Sequence, residues 1–101
     1  MSQFNTPHLS SADLEAARRV ILYRSRQRGW LELDVILGSF AEKHLANFSS
    51  DEVAQFESIL ATENPDLYKF VSGQLPPNDD LKNNNVFKKL LQHVNADHQS
   101  L

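Results

Sequence analysis

The side chains able to do chemistry in this 101-residue chain are few, and their spacing excludes most reactions. There is no cysteine, which removes thiol nucleophiles, disulfides, Cys-ligated zinc and iron–sulfur clusters together. The histidines stand at 8, 44, 93 and 98, with no i, i+4 pair of a zinc-binding helix and no His-Glu-x-x-His. His44 reads as a partly buried, hydrogen-bonded residue at a core edge rather than a ligand. Ser39 follows Gly38 in mid-helix without a base at readable spacing, and no Gly-x-Ser-x-Gly elbow occurs. Three scattered glycines cannot cradle a phosphate. No inward pair of carboxylates offers a general acid and base. The expectation is a protein that is not an enzyme, holds no metal and keeps no cofactor.

One cluster remains, Tyr23-Arg24-Ser25-Arg26-Gln27-Arg28-Gly29-Trp30-Leu31-Glu32-Leu33-Asp34. It falls where one helix should end and the next begin. Helix ends alone explain the charges: cations sit at one C-terminus and anions at the following N-terminus, each worth about 0.3–1 kcal/mol. Arg28 and Glu32 could also pair across the turn. Trp30 is the unexplained residue. It is the only Trp, expected at an exposed corner beside Arg24, Arg26 and Arg28, and Trp and Arg are enriched at interface hot spots. The cluster therefore reads as a protein-docking face.

The elements around it follow from composition and period. Apolar residues make up 41% and charged residues 23%, as in ordinary globular domains. No apolar run approaches the roughly 18–20 residues that span a bilayer. Residues 1–29 carry +3, whereas 30–101 carry −6. The acidic remainder would repel phosphate, so a nucleic-acid patch is disfavoured against docking to protein. The N-terminal stretch has neither a basic n-region nor an apolar h-region, and its first Arg is Arg18, so it is expected to be no intact leader or transit peptide.

A first helix is predicted over about 11–28, entered through Ser10-x-x-Asp13 as a capping box. Leu14, Ala17, Val20 and Ile21 form its inner face, and Gly29 closes it. Leu33, Ile36, Leu37, Phe40, Ala41, His44, Leu45 and Phe48 then form a sustained stripe of helical period. Gly38 lies off that stripe, where it could admit a neighbouring backbone. Ser49-x-x-Glu52 is a second capping box, leading a helix with Val53, Phe56, Ile59 and Leu60 inward. Asn64 is expected to cap a fourth helix with Pro65 at its first position. Leu67, Phe70 and Val71 face its core, and Gly73 ends it. Residues 75–80 read as a rigid extended connector before a loosely packed fifth helix built on Val86, Phe87, Leu90, Leu91 and Val94. The reading is all-α, a small bundle of about five short helices. Residues 1–9 would be a disordered arm, 10–95 one helical domain and 96–101 a frayed tail.

At the junction the chain resembles the succinate dehydrogenase assembly factors that promote covalent flavin attachment. Their Arg-Gly-x-x-Glu signature is matched by Arg28-Gly29-Trp30-Leu31-Glu32. The stretch from Arg19 to Arg28 resembles the family's first helix, and Glu32 to Phe40 its second. Phe48-Ser49-Ser50-Asp51-Glu52, Glu63-Asn64-Pro65-Asp66-Leu67-Tyr68 and Pro76-Pro77 resemble later segments. Tyr68 stands where many members have Trp.

The resemblance implies a monomeric factor that binds the flavoprotein subunit of succinate dehydrogenase and helps it join FAD to one of its own histidines. Arg28, Gly29 and Glu32 would dock near the flavin region, with Tyr23, Arg24, Arg26, Trp30 and Asp34 on the same face. It implies residence in the mitochondrial matrix, or in the cytoplasm of a bacterial source, with no membrane insertion and no nucleic-acid partner. A generic helical adaptor for another partner is the competing reading.

Overall fold

A computed structural model describes residues 10–99, all helix and connection with no strand among them. The predicted arm at 1–9 lies outside the described residues. The order is α1 (Ser11–Arg26), α2 (Leu31–His44), a 3₁₀ turn (Leu45–Asn47), α3 (Ser50–Leu60), α4 (Asn64–Val71), a single-turn α5 (Asp79–Lys82) and α6 (Asn85–Gln99). Five of these helices span two turns or more, as the periodicity predicts.

The two capping boxes fare differently. Ser49 and Glu52 exchange both bonds, at 3.0 and 3.2 Å. Ser10 accepts the Asp13 amide at 3.1 Å, but the Asp13 carboxylate accepts no return bond from the Ser10 amide. Aspartate is one methylene shorter than glutamate and does not reach back. On α1, Ile21 and Ser25 are buried with Leu14 and Ala17 packed beside them, whereas Val20 is 57% exposed. Val20 stands about 100° around the helix from Ile21, off the inner stripe.

The long apolar stripe of α2 does not stay one helix. It tightens into the 3₁₀ turn after His44, and Phe48 is extended yet still buried. Phe40, Phe48 and Phe56 meet there, with Phe56 edge-on to the other two at 5.6 and 6.2 Å. Gly38 admits a side chain rather than a backbone: a Cβ there would meet Cγ of Arg26 at 3.3 Å. Arg26 passes over Gly38 to reach Glu42.

The 75–80 connector is shorter than predicted. Asn78 accepts the Leu81 amide at 3.0 Å and starts α5, which drops Leu81 into the core. Nor is α6 loosely packed. Val86, Phe87, Leu90 and Val94 are buried, and its start is tied to α3. Buried Asn84 accepts the Phe87 amide at 2.8 Å and donates to the Gln55 carbonyl at 2.9 Å. The Gln55 side-chain oxygen in turn accepts the amides of Asn85 and Val86. Asn84→Ala should lower stability by about 1–2 kcal/mol in urea denaturation, since it uncaps a buried amide. Asn84→Asp, which keeps the acceptor, should lose less. The α6 backbone stays helical past 95 to Gln99.

Candidate functional site

The corner between α1 and α2 is built around Arg28. The predicted helix to 28 stops at Arg26 because the next residues are captured from outside. The Arg28 amide donates to the Asp34 carboxylate at 2.7 Å, and its carbonyl accepts the Asn64 amide at 3.3 Å. Gln27 leaves helical geometry, and Gly29 takes φ +82, a left-handed value that costs glycine least. The predicted glycine stop is thus real but lies two residues beyond the cap at Gln27.

The Arg28 side chain turns inward to the far end of α3. Its Nε donates to Asn64 Oδ1 at 2.6 Å, Nη1 to the Leu60 carbonyl at 2.8 Å, and Nη2 to the Thr62 carbonyl. The last carbonyls of a helix have no intrahelical donor, and a planar cation suits them. Partial burial, with Arg24 nearby, pulls the Arg28 pKa below the ordinary arginine value, and Asp34 opposes this. Asn64 is thereby diverted from its predicted capping role. Glu63 takes the cap position of α4 without a side-chain bond.

Arg28 and Glu32 therefore do not pair. Glu32 is exposed, and no hydrogen bond or ion pair joins it to another described residue. Leu31 and Val35, both outside the core stripe, flank it at 76% and 60% exposure. Their i, i+4 spacing off that stripe was the available sequence signal for an outward apolar pair. Trp30 is not the free corner aromatic expected. It packs against the core and stacks on Tyr68, with ring centroids 5.6 Å apart.

The predicted cationic face is largely consumed as well. Arg18 donates to the Phe48 carbonyl at 2.6 Å, Arg26 pairs with Glu42, and Arg24 lies 3.9 Å from Glu57. Tyr23 is 66% exposed. Together with Arg24, Gln27, Arg28, Thr62 and Pro65 it lines an open groove of about 610 Å³ behind the corner. The eight predicted residues thus divide. Arg28 and Asp34 hold the corner from within, Trp30 braces it, Arg24 and Arg26 pair along its flank, and Gly29, Glu32 and Tyr23 face outward.

The family described as the flavinator of succinate dehydrogenase matches residues 18–94, which contain this whole corner. A Caenorhabditis briggsae protein named succinate dehydrogenase assembly factor 2, mitochondrial, is 34% identical over 83 residues, covering 80% of this chain and 68% of its own length. The chain belongs to the flavinator of succinate dehydrogenase family.

Other relatives extend further beyond it. The Arabidopsis thaliana factor is 40% identical over 83 residues, and the matched part is 79% of this chain but 44% of that protein. For the Drosophila yakuba factor 2-A the values are 34% identity and 51% of its length. The chain thus spans about half the length of several relatives. All three are named as mitochondrial assembly factors, not as enzymes. No solved structure shows a significant match. Among the described residues of this flavinator-family chain, no helix is long and apolar enough to cross a membrane.

The flavinator fold also joins residues that the sequence keeps apart. Ser39, for which no base was readable, lies 2.9 Å from Nε2 of His93 and ties α2 to α6. His44 is partly buried as expected, but by ring contacts rather than a hydrogen bond: Phe40 at 4.8 Å, with Phe48 and His93 both at 6.3 Å. No cluster of three His, Asp or Glu able to hold a metal exists among the described residues.

Burial, then Lys43, His93 and Lys89, lower the His44 pKa, while Glu52 is lowered first by its bond to Lys89 and next by the Ser49 amide. Because the folded-state pKa of His44 lies below its ordinary value, the unfolded chain takes up more protons than the folded one as pH falls below about 6.5. Stability should decline there. It should decline again below about pH 4.5, where Glu52 loses contacts that its charged form makes. Urea midpoints measured from pH 8 to 4 check both steps, and His44→Phe should flatten the first alone.

Proposed function

We propose that this chain docks on the flavoprotein subunit of succinate dehydrogenase in the mitochondrial matrix and promotes covalent attachment of FAD to it. The chain acts as a monomer, keeps no FAD of its own and is not the catalyst. The histidine that forms the bond and the redox chemistry belong to the partner and its flavin. The factor favours a partner conformation in which the two reactants are aligned, an effect worth several kcal/mol of barrier in favourable cases.

The observation that carries this reading is the division of labour at the corner. Glu32 stands exposed between Leu31 and Val35, without a partner among the described residues, on a turn held from behind by Arg28, Asp34 and Asn64. An unspent carboxylate flanked by apolar side chains on a rigid mount suits a protein interface, because little ordering remains to oppose binding. Family membership supplies the class of partner.

The test is co-expression with a succinate dehydrogenase flavoprotein subunit, reading flavin fluorescence in the denatured gel band. Fluorescence should require the factor and fall with Glu32→Ala. Full fluorescence without the factor, or a pull-down that recovers other proteins and no flavoprotein, would overturn the reading.

A further inference from the structure

On another part of the molecule, Lys43 and His44 end α2 while Lys89, Gln92 and His93 face them from α6, with Ala96 below. These six residues line a groove of about 400 Å³. The His44 and His93 rings stand 6.3 Å apart, and Phe40 and Phe48 pack against His44. We infer that this groove is a binding site for a phosphate dianion, free or carried as a phosphomonoester.

Helix ends explain Lys43 and His44, since cations complement the last carbonyls of α2. Lys89 and His93 lie in the middle of α6, away from helix ends; Lys89 bonds to Glu52, and one His93 nitrogen, Nε2, meets Ser39. Glu52 of α3 is the carboxylate engaged there, and it is bonded to Lys89 at 2.7 Å. No ion pair or hydrogen bond joins Lys43 to another described residue. Among the described residues, the groove therefore gathers two ammonium groups and two imidazoles against one acid. Burial first, and then the charges of Lys43, His93 and Lys89, lower the His44 pKa, and an anion would relieve the second of these causes.

Phosphate fits better than the alternatives. Its second ionisation lies near that of histidine, so it arrives as a dianion at neutral pH, and its several acceptor oxygens match ammonium, imidazole and the Gln92 amide. A monocarboxylate would answer only one charge. A long polyanion would meet the −6 carried by residues 30–101. The site is separate from the corner, so it stands or falls independently of the docking reading.

The experiment follows histidine ring signals of the full chain by NMR while sodium phosphate is added near neutral pH, with sodium chloride holding ionic strength constant. The His44 and His93 signals should shift along a saturating curve, and the His44 titration midpoint should rise in saturating phosphate. Lys43→Gln should weaken binding about fivefold, whereas Lys69→Gln, outside the groove, should not. Glycerol 3-phosphate serves as the second arm: competition with phosphate assigns the site to phosphomonoesters, and its failure assigns it to the free ion. Shifts that chloride reproduces, that never saturate, or that survive Lys43→Gln unchanged would overturn the site.

Discussion

Arg28→Ala should unlatch the corner, costing about 2–4 kcal/mol in urea denaturation and abolishing flavin attachment in co-expression. The guanidinium serves Asn64, the Leu60 carbonyl and the Thr62 carbonyl at once. Bonds to a charged group contribute about 1.5–3 kcal/mol each. They are not additive here, and partial exposure weakens them, so the total stays below their sum. Arg28→Lys should recover less than half of the loss, because one ammonium cannot span three splayed acceptors. Amide exchange should quicken at the α3–α4 turn in both variants. If Arg28→Ala were as stable as the parent and only docking failed, Arg28 would be a contact residue and not the latch.

Glu32→Arg should do the reverse. Glu32 makes no bond within the described residues, and its service to the α2 N-terminus is worth about 0.3–1 kcal/mol. The urea midpoint should therefore move little. Affinity for the flavoprotein subunit should fall about 10- to 100-fold, since a reversed charge at an interface meets repulsion as well as a lost bond. Leu31→Asp should weaken binding in the same assay without unfolding the chain, because Leu31 is 76% exposed. Calorimetry of purified variants against the subunit measures both. Unchanged affinity in Glu32→Arg would move the docking face elsewhere, with the tyrosine-lined groove behind the corner next to be tried.

The opposite behaviour expected of Arg28 and Glu32 marks the boundary of what residue order reveals. Four residues apart, they look like one charged pair at a helix junction. Local periodicity says which face of α2 is apolar, and so places Leu33 and Leu37 inward and leaves Leu31 and Val35 outside. It is silent about Arg28, whose acceptors are 36, 32 and 34 residues away. Asn64 shows the same limit. Its type and its position before Pro65 fit a helix cap, yet the nearby arginine competes for its oxygen and wins with a charged donor.

What the chain's residue order determined by itself was much of what neighbours within about one or two helical turns govern. That covers the helical class, the Ser49–Glu52 cap, the left-handed turn at Gly29 and the location of the corner. Only the tertiary structure decided which polar groups face each other. Arg28 spends its charge inside, Trp30 is braced by Tyr68, Ser39 meets His93, and Glu32 remains outward. The reason is physical: helix propensity and capping act through short stretches of backbone, whereas hydrogen-bond partners are chosen when whole helices pack and orphan carbonyls, buried amides and charges must be satisfied together.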